Sequence, residues 1–283
     1  MDHKPRVASG YDPRDRDRVH ATCLYVATKL GDLIDETAIV GGLVPSLLVD
    51  QRSIQTAGER HVGTMDLDMG LALAIFEEHR YEALTERLRQ AGFEPDVNER
   101  GQQTRQRWKI EREARVTVDF LIAPSLPDDK PGRIRNIESD FAAIIAPGLH
   151  LAFVDRMKMR LDGRTIAGES ATRDVWIAGP AAYVVLKALA FRNRGENKDA
   201  YDLFYVLRYF AAGLAEIASR LHGFANDPSA RDALEVLRED FSDVESIGPT
   251  RVAEFMTGGP DDDVQADARG VVLDLLERLD TKR

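Results

Sequence analysis

Asp66 and Asp68 lie two residues apart in an apolar run made by Leu67, Met69, Leu71 and Leu73. That spacing suits a β-strand, where alternate side chains share a face, so both carboxylates would point the same way. Two negative charges at that separation repel by about 1 kcal/mol in water and several times more near a protein surface. A shared proton or a divalent cation relieves the repulsion. Oxygen-only ligands select a hard cation, and Mg²⁺ held by few carboxylates leaves positions for substrate phosphates. A third carboxylate, Asp119, is the one charge in Val116-Thr117-Val118-Asp119-Phe120-Leu121-Ile122. Alternation there buries Val116, Val118, Phe120 and Ile122 and turns Asp119 to the opposite face. If the two strands are neighbours, three carboxylates converge, and the third can ligate a cation or accept a proton from an attacking hydroxyl. The alternative for Asp119 is an exposed edge position.

Other residues could serve the same chemistry. Gly41-Gly42 ahead of the helical pattern Leu43–Val49 offers unhindered backbone amides at a helix start, which suits a phosphate, although a tight turn would use the same pair. Neither G-x-x-x-x-G-K-[ST] nor G-x-G-x-x-G occurs. Lys187 interrupts the apolar run Val184–Leu189 and needs an anionic partner or a route to solvent. Lys198 and Asp202 are spaced to form a helix ion pair. Thr64, two residues before Asp66, would share its strand face; a phosphate there would place up to two negative charges beside the carboxylates, as a regulatory switch. Strand propensity is the plainer reason for a threonine at that position. Arg100, Arg105, Arg107, Lys109, Arg112 and Arg115 cluster within a short stretch. They make either a local basic groove or a solvated pair of mixed-charge strands. Arg105, Arg107 and Arg194 rank below the lysines as phosphate contacts.

The elements that must hold these residues alternate before residue 175 and are helical after it. The mixed-charge run 12–18 starts a helix whose face carries Val19, Cys23, Val26, Ala27, Leu30, Leu33 and Ile34. A strand Thr37–Val40 follows, and residues 50–62 form a polar loop. Residues 77–91 form an amphipathic helix closed by Gly92. Arg105–Glu111 and Arg115–Ile122 make a hairpin, Pro124–Pro131 a loop, and residues 149–177 a small β region turning at Asp162-Gly163. From Pro180 onward the pattern is helical, with Asp261-Asp262-Asp263 in a loop feeding the last helix. The expected division is therefore an α/β domain over 1–175 and a helical one over 176–283.

The chain has 283 residues, 43% of them hydrophobic, with a net charge of −10, a composition typical of soluble globular proteins. The acidic balance argues against coating by nucleic acid through bulk charge. No apolar run is long enough to span a bilayer. The amino terminus lacks a signal-peptide core, so a cytoplasmic protein with no membrane partner is expected. The single cysteine, Cys23, excludes intramolecular disulfides and cysteine-rich zinc sites, and its apolar setting marks a buried structural thiol.

In order, the glycine pair Gly41-Gly42, the strand with Asp66 and Asp68, and the later strand with Asp119 resemble the signature of the nucleotidyltransferase superfamily related to DNA polymerase β. The segment Val184–Leu203, with Lys187, Arg192, Arg194 and Lys198-Asp199-Ala200-Tyr201-Asp202-Leu203, resembles the K…R…KD-x-x-DL element of AbiEii/AbiGii-type, MenT-like toxins. The resemblance covers residues 19–210 or so. It implies an α+β protein: a minimal nucleotidyltransferase fold, a mixed sheet with flanking helices, followed by an all-α C-terminal domain that completes the active-site cleft.

By the same resemblance, Asp66 and Asp68 bind Mg²⁺, with Mn²⁺ as an alternative, and Asp119 is the third metal carboxylate and general base. Lys187 contacts the nucleotide phosphates, and Gly41, Gly42, Thr64, Lys198, Asp199 and Asp202 line the nucleotide site. The implied reaction transfers NMP from an NTP to a hydroxyl, with the tRNA 3′ end as the first-ranked acceptor, so that translation stops. A cognate antitoxin is the implied protein partner. Transfer to a protein or small molecule such as an antibiotic is a second reading, and a nucleotide-binding regulatory module without turnover is a third. Two departures stand out: many relatives have Gly-Ser at the glycine pair, and the interval from Gly42 to Asp66 is long enough to imply an inserted loop.

Overall fold

The computed structural model describes residues 4–72, 80–98, 100–112, 115–138 and 140–281. Leu73 and residues 77–79, counted above with the apolar run and the amphipathic helix, lie outside them. The fold is α+β, with a mixed sheet of parallel and antiparallel strands and many helices. The chain divides into two compact units. The first takes Pro13–Val44 and Gly63–Ala178; the second takes Lys4–Asp12, Pro45–Val62 and Gly179–Arg283. The second unit's long segment thus begins close to the expected boundary at 175, but it also draws on two earlier stretches.

In the first unit, helix α1 spans Pro13–Leu30 and buries Val19, Cys23, Leu24, Val26 and Ala27. Leu33 and Ile34, expected on the same helix, fall instead in a 3₁₀ segment, Gly31–Glu36. Gly31 has φ +59° and ends the α-helix there, because a left-handed residue cannot continue it. The strands follow as β1 (Thr37–Ile39), β2 (Asp66–Leu71), β3 (Glu94–Val97), β4 (Gln103–Glu111), β5 (Arg115–Ile122), β6 (Ile134–Asn136), β7 (Ala142–Ile145), β8 (Arg156–Arg164) and β9 (Ser170–Ala178). Their order across the sheet is β3-β4-β5-β2-β1-β9-β8, with β7 pairing β5 and β6.

β2 runs parallel to β5 and antiparallel to β1. The apolar face of β2 and β5, with Leu67, Met69, Val118 and Phe120, is buried, and alternation turns the aspartates to the opposite face. The turn expected at Asp162-Gly163 lies further on. Those residues are still in the ladder, opposite Thr172 and Ala171, and the chain reverses at Thr165–Glu169, where Gly168 takes φ +81°.

In the second unit, Pro180–Arg194, Asn197–Tyr209, Gly213–His222, Pro228–Asp240, Ile247–Thr257 and Asp262–Asp280 are α-helices. Pro180 opens the first of them, and Gly195 in the left-handed conformation closes it. Val49, Ile54, Tyr201, Tyr205 and Phe255 form one apolar cluster. Asp261 caps the last helix, its side chain accepting from the Val264 amide. Asp262 and Asp263 occupy that helix's first turn, where the dipole favours negative charge. No described helix is long and apolar enough to cross a membrane.

Candidate functional site

The parallel register of β2 and β5 sets Asp68 opposite Asp119 and Asp66 opposite Thr117. Side chains alternate, so Asp66, Asp68 and Asp119 emerge on one face, and one ligand oxygen from each lies within 4.8 Å of the others. Asp66 and Asp119 are buried, and Asp68 is partly so. Such a set of oxygens fits a hard divalent cation. Thr64 precedes the strand rather than joining it; its hydroxyl donates to Asp66 Oδ1 at 3.0 Å.

On the other flank of β5, the antiparallel register sets Arg107 of β4 opposite Asp119. Its guanidinium forks the carboxylate: Nε donates to Oδ1 and Nη2 to Oδ2, each at 2.6 Å. The hydrogen bond to Asp119 raises the Arg107 pKa, and the charges of Asp119, Asp66 and Asp68 add to the effect. The neighbouring basic residues are engaged elsewhere. Lys109 reaches Glu94 and Glu111, and Arg115 Nη2 donates to both oxygens of Asp96. This part of the arginine-rich stretch is therefore a mixed-charge sheet surface.

Gly41 is required by the carboxylates. The Val40 amide donates to the Asp68 carbonyl at 3.1 Å, which brings Asp68 against the chain just after β1. A Cβ on Gly41 would stand 2.6 Å from Asp68 Cβ and closer still to its Oδ2. The helix that follows, Val44–Leu48, is a single short turn.

The remaining candidates form a second cluster, in the second unit. Lys187 is buried and donates to Asp199 Oδ1 at 2.9 Å and Asp202 Oδ2 at 2.8 Å. Lys198 donates to Asp202 Oδ1 at 2.7 Å, and Arg194 forks Asp199. Burial would lower the Lys187 pKa, but the two adjacent carboxylates outweigh it and raise it. Among the described residues Lys198 has one carboxylate hydrogen-bond partner, Asp202, and there burial prevails and lowers the pKa. Burial opposes ionisation of Asp202, yet Lys187 and Lys198 hold its carboxyl well below the usual range. The anionic partner that Lys187 needs is thus internal.

Ser46 and His61 were not singled out by sequence, yet both join this cluster. His61 Nε2 lies 2.8 Å from Asp202 Oδ1, and its Nδ1 lies 3.0 Å from Ser46 Oγ. Burial pulls the His61 pKa down to about 4, with the hydrogen bond to Asp202 opposing it. A neutral ring that donates to Asp202 leaves Nδ1 as the acceptor for the serine. A lone histidine in a polar loop carries no periodic signal. Arg107 carried one, since pairing Arg105–Glu111 with Arg115–Ile122 as a tight hairpin sets it across from Asp119.

The chain matches no protein-family model and no curated protein.

Proposed function

We propose that the protein is a divalent-cation-dependent nucleotidyltransferase with a minimal nucleotidyltransferase fold and a helical C-terminal domain. Its proposed biological role is that of a toxin held by a cognate antitoxin. The observation that carries the reading is the convergence of Asp66, Asp68 and Asp119 from two adjacent parallel strands. The order of sequence motifs around that triad adds the nucleotide and the toxin class. Asp66, Asp68 and Asp119 would hold Mg²⁺ or Mn²⁺, which supplies charge neutralisation for the phosphates of a bound NTP.

In the proposed reaction an acceptor hydroxyl attacks the α-phosphorus of the NTP. A new O–P bond forms, the bond to the β-phosphate oxygen breaks, and pyrophosphate leaves with that electron pair. Asp119 takes the hydroxyl proton, which requires that Arg107 release at least one of its oxygens. Within the first unit, Gly41, Gly42 and Thr64 are the proposed nucleotide contacts. For Lys187, Lys198, Asp199 and Asp202 of the second unit the same role rests on the sequence resemblance, and the two carboxylates hold the lysines. The tRNA 3′ end is the first-ranked acceptor.

The test is incubation with α-³²P-labelled NTPs, Mg²⁺ and total tRNA or cell extract, comparing wild type with Asp66→Ala. Label in tRNA from wild type alone is the expected result. Label in protein or a small molecule would move the acceptor while keeping the chemistry. No transfer to any acceptor, with NTP binding intact, would replace the reading with a binding module.

A further inference from the structure

We propose that Arg107 is the resident counter-ion of the carboxylate cluster: a divalent cation must displace it from Asp119, and the freed guanidinium then binds the phosphates that arrive with the cation. The inference rests on the metal-dependent reading above and deepens it.

Register makes the arrangement a built one. Arg107, Asp119 and Asp68 occupy directly opposed positions on β4, β5 and β2, so one row of the sheet runs cation, anion, anion. The guanidinium also feels the charges of Asp66 and Asp68, so it answers the cluster and not Asp119 alone. Arg107 engages both oxygens of Asp119 in a planar fork, the strongest geometry open to an arginine. A cation ligated by Asp119 must take an oxygen that already accepts from Arg107, and it is repelled by the guanidinium beside it.

The two partners differ in their freedom. The Asp119 side chain is 5% exposed on an interior strand, whereas Arg107 is 32% exposed on a long stem. Displacement therefore moves the arginine towards solvent and leaves the carboxylate in place. Once released, a planar five-donor group sits next to a site that takes triphosphate, and guanidinium geometry matches two phosphate oxygens. Cation and nucleotide would in this way be coupled through one side chain: each makes room or supplies a partner for the other.

The experiment is Mn²⁺ titration, read by electron paramagnetic resonance, of wild type, Arg107→Gln, Arg107→Lys and Asp68→Asn, with and without a non-hydrolysable α,β-methylene NTP. Arg107→Gln should bind Mn²⁺ about tenfold or more tightly than wild type without nucleotide, the scale of one charged hydrogen bond. The analogue should tighten Mn²⁺ binding in wild type and much less in Arg107→Gln. Unchanged or weaker Mn²⁺ binding by Arg107→Gln would overturn the proposal. Should that variant fail to fold, Arg107→Lys carries the test, since it keeps the charge and loses the fork. A several-fold gain is then expected, and an unchanged affinity is fatal. If Asp68→Asn abolishes Mn²⁺ binding while Arg107→Gln equals wild type, the metal reading stands and this inference falls. If no form binds Mn²⁺, both fall.

Discussion

The Asp68 side chain lies directly over the Cα of Gly41, so that a single added methyl would overlap its carboxylate. Asp68 thus fixes the residue type of a position on the next strand's exit. Gly41→Ala should therefore displace Asp68, cost about 1–3 kcal/mol by overpacking, and weaken Mn²⁺ binding. Thermal melting with Mn²⁺ titration checks this; normal binding by a folded Gly41→Ala protein would show that the close approach is dispensable.

Charge removal at the forked carboxylate should destabilise the cation-free protein. Asp119→Asn removes the partner of Arg107 and should cost about 1–3 kcal/mol. Denaturant midpoints in chelator, wild type against variant, check this. An unchanged midpoint would mean that the fork contributes nothing to the fold.

Lys187→Met should cost about 1–3 kcal/mol, because Asp199 and Asp202 lose their shared ammonium and keep only Arg194, Lys198 and His61 as partners. Pairing it with Asp199→Asn should recover part of that loss, since the other partner of Asp199, Arg194, is exposed to solvent. An activity defect in Lys187→Met means little unless the variant melts near wild type, and a melting curve settles which case applies.

Acid should weaken the protein through His61. Its pKa is about 4 when folded against 6.5 for the free side chain, with Asp202, Lys198, Lys187, Tyr201 and Tyr205 packed around it. The folded-state value is depressed, so the unfolded chain binds the proton more readily. The neutral ring's contribution is intact above pH 6.5 and is lost as pH falls towards 4. At pH 5 the loss is about 2 kcal/mol. Burial lowers the His20 pKa as well, so the assignment needs a variant. His61→Gln, though less stable at pH 7, should show a shallower decline between pH 7 and 5 in urea denaturation. An unaltered slope would place the dependence elsewhere.

The sequence was most legible where periodicity and chemistry coincide. Asp66 and Asp68 are visible because a strand's two-residue period and a like-charge pair are both local properties, and the Arg115–Ile122 strand was bounded by its own alternation. β6 and β7 were missed because three and four residues are too few to display a period. The hairpin of β8 and β9 was placed but its turn was not, since Asp162-Gly163 carries turn chemistry while the ladder continues through it. The contact of Gly41 with Asp68 and that of His61 with Asp202 join residues far apart in sequence, which no local pattern encodes. Cys23 followed its setting: it is buried, and burial pushes its thiol up to about 12, so it stays unreactive.

The interleaving of the two units also sets a timetable. A ribosome that has just finished Ala178 has made every residue of the carboxylate cluster and none of the helices that bear Lys187, Lys198 and Asp202. His61 waits for a partner 141 residues downstream. At about 5–20 residues per second, the helices from Pro180 to Asp280 take roughly 5–20 s to make. During that interval His61 lacks the Asp202 carboxylate, and a chain broken off there would keep the aspartates of the first unit without the lysines of the second.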